Sequence, residues 1–361
     1  MINEMKKVVI FSLNFNSAHI SHLLASYMQC QDLGYDPILY LHKDFEPFIS
    51  HEKVNYLIYK RDSLPKEIHI GMFLFPSLNN ITQSVLLKVF HRAKIIYLYH
   101  EPLDSMKSYI QHNNIFEVCV IVLKDLVSLF TLILSDLILL PSEKSYSQYE
   151  KNNYRIFNKE YYYFPLLYPD YNEDRSNMSK LYFSYIGGAC REHAFEKYLL
   201  FVKKAIEQKF MVDKLQFCIA TRTHLDLIDP VIKEIMDSDR VVIQQGRHLS
   251  NEEISDYYSK SYIVWNAYDR TNQSGVLANS FMFGVPLIIM KSNMSEYVTN
   301  HGNVVAINNN EDYQEICDAV KCIMSKYSAY VSSARESFLH NFYYKAHNEQ
   351  FKKLVDRLFI K

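Results

Sequence analysis

The residues best suited to chemistry in this chain lie where short apolar runs end in polar turns. Ile263, Val264 and Trp265 read as a buried strand, and residues 266–273 as a polar loop. Ser274 reads as the cap of a helix over 275–283 that Gly284 ends, and residues 285–289 start the next strand. The opening amides of such a helix, those of Ser274, Gly275 and Val276, have no partner within the helix and carry the positive end of its dipole. A diphosphate suits them, and glycine at 275 lets it approach the backbone. Read alone, the same unit is also an ordinary capped helix between two buried strands.

Three further constellations sit at predicted strand ends. Gly187 and Gly188 follow a strand over 181–186, with Arg191 close behind, so backbone and guanidinium can meet a phosphate together; a plain turn is the alternative. His100 and Glu101 close a strand over 93–99 and are fixed by Pro102. They form a candidate acid/base pair of which one member faces a cleft, or else a surface turn. The loop 14–19, with Asn16 and His19, leaves the first strand at its carboxyl end, where α/β folds bind ligands. It holds no glycine, so the dinucleotide fingerprint is absent and NAD is not expected there. Asp237, Ser238 and Asp239 match a metal-binding D-x-D only superficially, at the amino end of a strand, so no metal is expected.

The elements that must position these groups alternate. Strands are predicted over 6–11, 37–41, 54–58, 70–75, 93–99, 137–140, 181–186, 215–220, 241–245, 263–265, 285–289 and 304–307. Helices are predicted over 19–32, 82–91, 116–134, 195–208, 229–237, 275–283, 312–325 and, as one long final element, 328–360. Ser250 and Glu253 form a capping box that starts another helix ending near Lys260. A tyrosine- and lysine-rich stretch over 146–163 and a polar one over 166–180 mark a domain boundary.

At 361 residues and 48% hydrophobic content the chain is globular and exceeds one comfortable core, so two domains are expected. A formal net charge of −1 offers no global field for nucleic acid. Six scattered cysteines without paired spacing read as reduced residues of a cytoplasmic protein, not as a zinc or disulfide framework. The apolar run after Lys7 is too short for a signal-peptide core. Residues 118–140 are the most apolar stretch, but Lys124, Asp125 and Asp136 interrupt it, so it reads as a buried helix or a helix lying on a membrane surface.

In this order the second half resembles the nucleotide-sugar domain of the family 4-like GT-B glycosyltransferases, and the likeness extends over most of the chain. Residues 183–188 with Arg191 resemble the family's strand, glycine and arginine opening. Residues 242–250, 252–267, 279–288 and 295–298 with Gly302 resemble its later motifs, and 134–138 with 141–143 resemble the close of the acceptor domain. The resemblance implies an α/β GT-B fold with two Rossmann-like domains facing across a cleft. An acceptor-binding domain would span 1–170 and a nucleotide-sugar domain 180–330, with a helix over 331–361 packing back on the first.

It also implies a donor site. Gly188, Arg191, Ser274, Gly275 and Val276 would hold the diphosphate, Thr221, Gly246 and Arg247 would border the base, and Gln273 and Asn279 would meet the sugar or ribose. His100 or Glu101 would stand near the sugar, and Asn16 and His19 near the transferred group. No cofactor or metal is implied, because the helix end and the arginine neutralise the leaving diphosphate. Two family glutamates are replaced by Thr271 and Asn279, which puts the usual retaining outcome in question. The expected function is transfer of a sugar from a nucleotide diphosphate to a glycan or lipid-linked acceptor in surface polysaccharide synthesis, at the inner face of a membrane. A non-catalytic assembly partner and a nucleotide-sugar epimerase are the alternatives.

Overall fold

Strands buried on both faces are what a parallel sheet flanked by helices demands, and the apolar runs supply them. The computed structural model describes residues 5–100, 102, 110, 115–152, 157–172, 179–225, 230–269 and 275–360. The chain divides into two units, Met1–Pro169 with Phe342–Lys361, and Asp170–Asn341.

In the first unit, β1 (Lys7–Ser12), β2 (Asp36–Leu41), β3 (Tyr56–Ile58), β4 (Ile70–Phe73), β5 (Lys94–Leu98), β6 (Leu137–Leu140) and β7 (Glu160–Tyr163) form one sheet ordered β3-β2-β1-β4-β5-β6-β7. All its pairings are parallel. In the second, β8 (Tyr182–Ile186), β9 (Gln216–Ala220), β10 (Val241–Gln244), β11 (Ser261–Asn266), β12 (Leu287–Met290) and β13 (Val304–Ile307) form a parallel sheet ordered β10-β9-β8-β11-β12-β13. Each order reverses once, at β1 and β4 and at β8 and β11, and the carboxyl side of such a reversal is where doubly wound sheets hold ligands. The second core gathers around Trp265 and Tyr198, both fully buried, with the Tyr198 hydroxyl donating to the Phe183 carbonyl at 2.6 Å.

Three expectations are corrected. The single final helix over 328–360 is two helices, Tyr327–Asn341 and Asn348–Ile360. Between them the backbone of Phe342 and Tyr344 bonds to Tyr168, with Tyr168 N donating to Phe342 O at 2.9 Å and Tyr344 N to Tyr168 O at 3.2 Å; these bonds replace helical ones. The first helix belongs to the second unit, so only the part from Phe342 joins the first. The stretch over 146–163, where no element was expected, carries the end of a helix, Glu143–Lys151, capped by Ser142, and then β7 as the seventh strand. The helix expected over 82–91 starts at Asn79 and widens into a π-helical turn, Leu87–His91.

Candidate active site

At the second reversal, β8 ends in Gly187 with φ +136°, a conformation that favours glycine, and Gly188 follows with open space where a Cβ would stand. The loop is held from beneath. Tyr185 Oη donates to the Gly188 carbonyl at 2.7 Å, and Ala189 N donates to Thr221 Oγ1 at 3.2 Å and to Thr223 Oγ1 at 3.1 Å. The helix Gly275–Met282 begins beside this loop, since a Cβ on Gly187 would lie 3.7 Å from Val276 Cγ2. Arg191 is exposed on the turn that follows Gly188; its carbonyl accepts from Ala194 N at 2.9 Å, and its guanidinium has no hydrogen bond or ion pair among the described residues. Gly187 and the start of the helix at Gly275 and Val276 therefore meet at one strand edge, with Gly188 and Arg191 next along the loop. Ser274, Gln273 and Thr271 lie outside the described residues.

Other members of the predicted set are engaged differently. Thr221 is 1% exposed and serves the loop amides, so its side chain holds the loop up instead of facing outward. Arg247 donates through Nη1 to Glu253 Oε2 at 2.9 Å and through Nη2 to Oε1, while Glu253 also accepts from Ser250 N at 2.9 Å in the predicted capping box. That pairing holds the Glu253 carboxyl down at about 2, first through Arg247 and then through the Ser250 amide. Gly246 has φ +76°, and a Cβ there would meet the His224 ring at 2.6 Å. Asn279 turns Nδ2 back onto the Gly275 carbonyl at 2.8 Å.

Sequence reasoning missed His193. Its Nδ1 donates to the Gly188 carbonyl at 2.9 Å, and its ring stacks on Tyr268 with centroids 4.3 Å apart. Burial lowers its pKa, but hydrogen bonds from the Cys190 and Gly188 side outweigh that and leave it raised. The Cys190 thiol is pushed up by burial and pulled down further by His193, so it ends lowered. A histidine two residues beyond the arginine was the available signal.

At the first reversal the structure brings together His19, Phe75, His100 and His22. Asn16 caps the Ser17–His19 turn, its Oδ1 accepting from Ala18 N at 3.2 Å. The His19 ring lies flat on Phe75 at 3.3 Å between centroids, and Phe75 stacks on His100 at 5.1 Å. Ser145 Oγ donates to the His100 carbonyl at 2.9 Å, which ties the end of β5 to the helix after β6. His22, also missed, is buried three residues beyond His19 on the same helix face, with its Nδ1 on the Leu167 carbonyl at 2.9 Å. Burial brings the His22 pKa down to about 4, against that hydrogen bond. Burial and then His22 bring His100 down to about 3. His100 is thus a neutral imidazole, poorly matched to proton transfer near neutral pH, and its Nε2 has no hydrogen-bond partner among the described residues. Glu101 lies outside the described residues. Among the described residues no group of three or more His, Cys, Asp or Glu is placed to hold a metal ion.

No protein-family model matches the chain, and no curated protein does either. Solved structures do. Sucrose-phosphate synthase from Thermosynechococcus elongatus matches with a TM-score of 0.68 at 12% identity, over 98% of this chain and 99% of that one. Anabaena HepE, solved with UDP and glucose, matches with a TM-score of 0.69 at 11% identity, over 98% and 100%. An alpha-glucosyltransferase in complex with UDP matches with a TM-score of 0.68 at 13% identity, over 98% and 100%.

The chain has the GT-B fold.

Its two GT-B units are the two doubly wound sheets, and the terminal helix Asn348–Ile360 belongs with the first. The two constellations described above sit at the reversals of those GT-B sheets, one in each unit. No helix among the described residues is long and apolar enough to cross a membrane.

Proposed function

We propose that the chain is a glycosyltransferase that moves a sugar from a nucleotide-diphosphate donor to a glycan or lipid-linked saccharide during surface polysaccharide synthesis, at the cytoplasmic face of a membrane. The observation that carries this reading is the start of the helix Gly275–Met282 beside Gly187, Gly188 and the unpaired Arg191. Helix-start amides and a guanidinium on the neighbouring loop suit a diphosphate, and in such a site they stabilise the charge that grows on a leaving group. Three similar structures hold UDP, which makes a UDP-sugar the first donor to test.

In this reading Arg191 with the amides of Gly275 and Val276 and the cap Ser274 binds the diphosphate, without a metal or other cofactor. Gln273 and Oδ1 of Asn279 meet the sugar and ribose, and Gly246, packed against the His224 ring, borders the base. Thr221 and Arg247 act on the site through the loops they hold. Neutral His100 offers one hydrogen bond to a sugar hydroxyl, Glu101 is the acidic candidate beside it, and Asn16 and His19 shape the acceptor loop. Retention is the proposed outcome, read by NMR from the anomeric configuration of the product.

Thermal melting with UDP, GDP and ADP tests donor binding, since a specific ligand raises the melting temperature by mass action. Transfer assays with a panel of nucleotide sugars and extracted acceptors then test turnover. No shift with any nucleotide sinks the reading. A shift without transfer or donor hydrolysis favours the non-catalytic partner, a second reading motivated by Asn279, whose amide is bonded within its own helix where the family carries a glutamate. Release of an epimerised sugar favours the epimerase.

A further inference from the structure

A surface helix of a globular domain keeps its apolar stripe inward and turns polar residues to water. Among its described side chains, the helix Ile115–Leu134 of the first unit exposes apolar groups on its outer side as well. Phe116, Leu123, Leu126, Phe130 and Ile133 face outward, with Phe116 76% and Phe130 57% exposed, while the polar Ser128 and Thr131 are buried. The outward positions recur at steps of three, four and seven, one continuous stripe along the helix. Every described side chain exposed on it is apolar apart from the Cys119 thiol. The helix packs beside Asn79–Leu86, whose continuation through His91 exposes Val85, Val89 and Phe90. Soluble monomers rarely leave so large a contiguous apolar surface without a use for it.

We propose that this two-helix face docks onto the surface of an anionic lipid bilayer. The charges beside it fit that occupant. Arg92, two residues past Phe90, and Lys66, whose carbonyl lies 3.2 Å from His91 Nδ1, are exposed cations without side-chain partners among the described residues. The neighbouring acid Glu67 lies 3.5 Å from His69. A protein partner needs matched side chains at set positions, whereas a bilayer accepts apolar groups at any spacing and pairs lone cations with its headgroups. The helix does not span, so it lies along the interface. As the crossover between β5 and β6 it runs antiparallel to the strands, which puts its Phe116 end at the carboxyl edge of the sheet, the edge that carries His19 and His100. Docking there brings that edge to the headgroups, and this consequence rests on the lipid-linked acceptor proposed above.

Flotation of the full chain with phosphatidylcholine vesicles, with and without phosphatidylglycerol and with no nucleotide sugar present, decides the matter. The unaltered protein is expected to float with the anionic vesicles. Leu123→Gln with Phe130→Gln, and separately Val89→Gln with Phe90→Gln, each lower vesicle affinity by about tenfold or more. Arg92→Gln weakens binding to anionic vesicles and leaves any binding to neutral ones unchanged. All these positions are exposed, so melting temperatures stay near that of the unaltered chain. The proposal is overturned if the unaltered protein floats with neither vesicle, or if both double variants float as it does. It is equally overturned if the chain forms a dimer that Leu123→Gln with Phe130→Gln dissolves while vesicle binding is absent. Flotation needs no transfer, and transfer to a soluble acceptor needs no bilayer, so either reading can fail alone.

Discussion

Two adjacent glycines do different work at the end of β8. Gly187 sits at φ +136°, so Gly187→Ala strains the backbone, costs about 1–3 kcal/mol of stability and lowers the melting temperature of the second unit. Gly188 has open space instead, so Gly188→Ala leaves melting unchanged but reduces the shift caused by UDP, because the new methyl occupies the approach to the backbone. The lowered thiol of Cys190 gives a second outcome. Iodoacetamide near neutral pH alkylates Cys190 ahead of the exposed Cys119, as mass spectrometry of the peptides reads, and His193→Gln removes the preference. Buried Cys30 and Cys218, each pushed up to about 12 by burial, react only on unfolding.

The histidines of the first unit make stability depend on pH. Both imidazoles titrate near the ordinary value of 6.5 when unfolded and at about 4 and about 3 when folded, so within that window the unfolded chain binds more protons. Stability therefore falls as the pH drops from 6.5 through 4, and melts across that range show it, with a shallower fall in His22→Gln. A melting temperature flat between those values contradicts the burial of the pair.

At the scale of elements, the helix Gly275–Met282 is gripped at its far end. Arg335, on the helix Tyr327–Asn341, donates through Nη1 to the Met282 carbonyl at 2.7 Å and to Asp170 Oδ1 at 3.0 Å, and through Nη2 to Oδ2. The same helix closes on Gly284, where a Cβ would meet Val331 Cγ1 at 3.0 Å. One cation thus satisfies a helix-end carbonyl and a carboxylate whose side chain is 7% exposed. Arg335→Met leaves that carboxylate unpaired and is expected to cost about 3–5 kcal/mol in denaturant unfolding. Adding Asp170→Asn recovers part of the loss, and no recovery would show that the pair is not what holds these elements. None of this was legible beforehand, because Asp170 and Arg335 are 165 residues apart and neither belongs to a motif.

At the scale of the molecule, the last twenty residues complete the first unit. The helix Asn348–Ile360 buries Phe351, Leu354, Val355 and Leu358, and Gln29 Nε2 donates to the Tyr344 carbonyl at 3.3 Å. Four such side chains contribute together about 6–12 kcal/mol, comparable with the about 5–15 that stabilise a whole domain. A chain ending at Asn341 is therefore expected to lose the folded first unit, while a fragment over 170–341 keeps a cooperative melt from its own core. A soluble truncated chain with both transitions intact would contradict the division at residue 341.

The sequence alone determined twelve of the thirteen strands, the capping box at Ser250, the glycine stops and the alternation that makes two doubly wound sheets, because these follow from local periodicity and from backbone conformations that glycine favours. Tertiary structure decided the rest. It alone showed that Thr221 holds a loop from beneath, that Arg247 is spent on Glu253, and that His22 and His193 join the two sites. It also broke the last helix at Phe342, where backbone bonds to Tyr168 replaced helical ones. Each of these depends on contacts between residues distant in sequence, and such contacts exist only once the sheets bring the strand ends together.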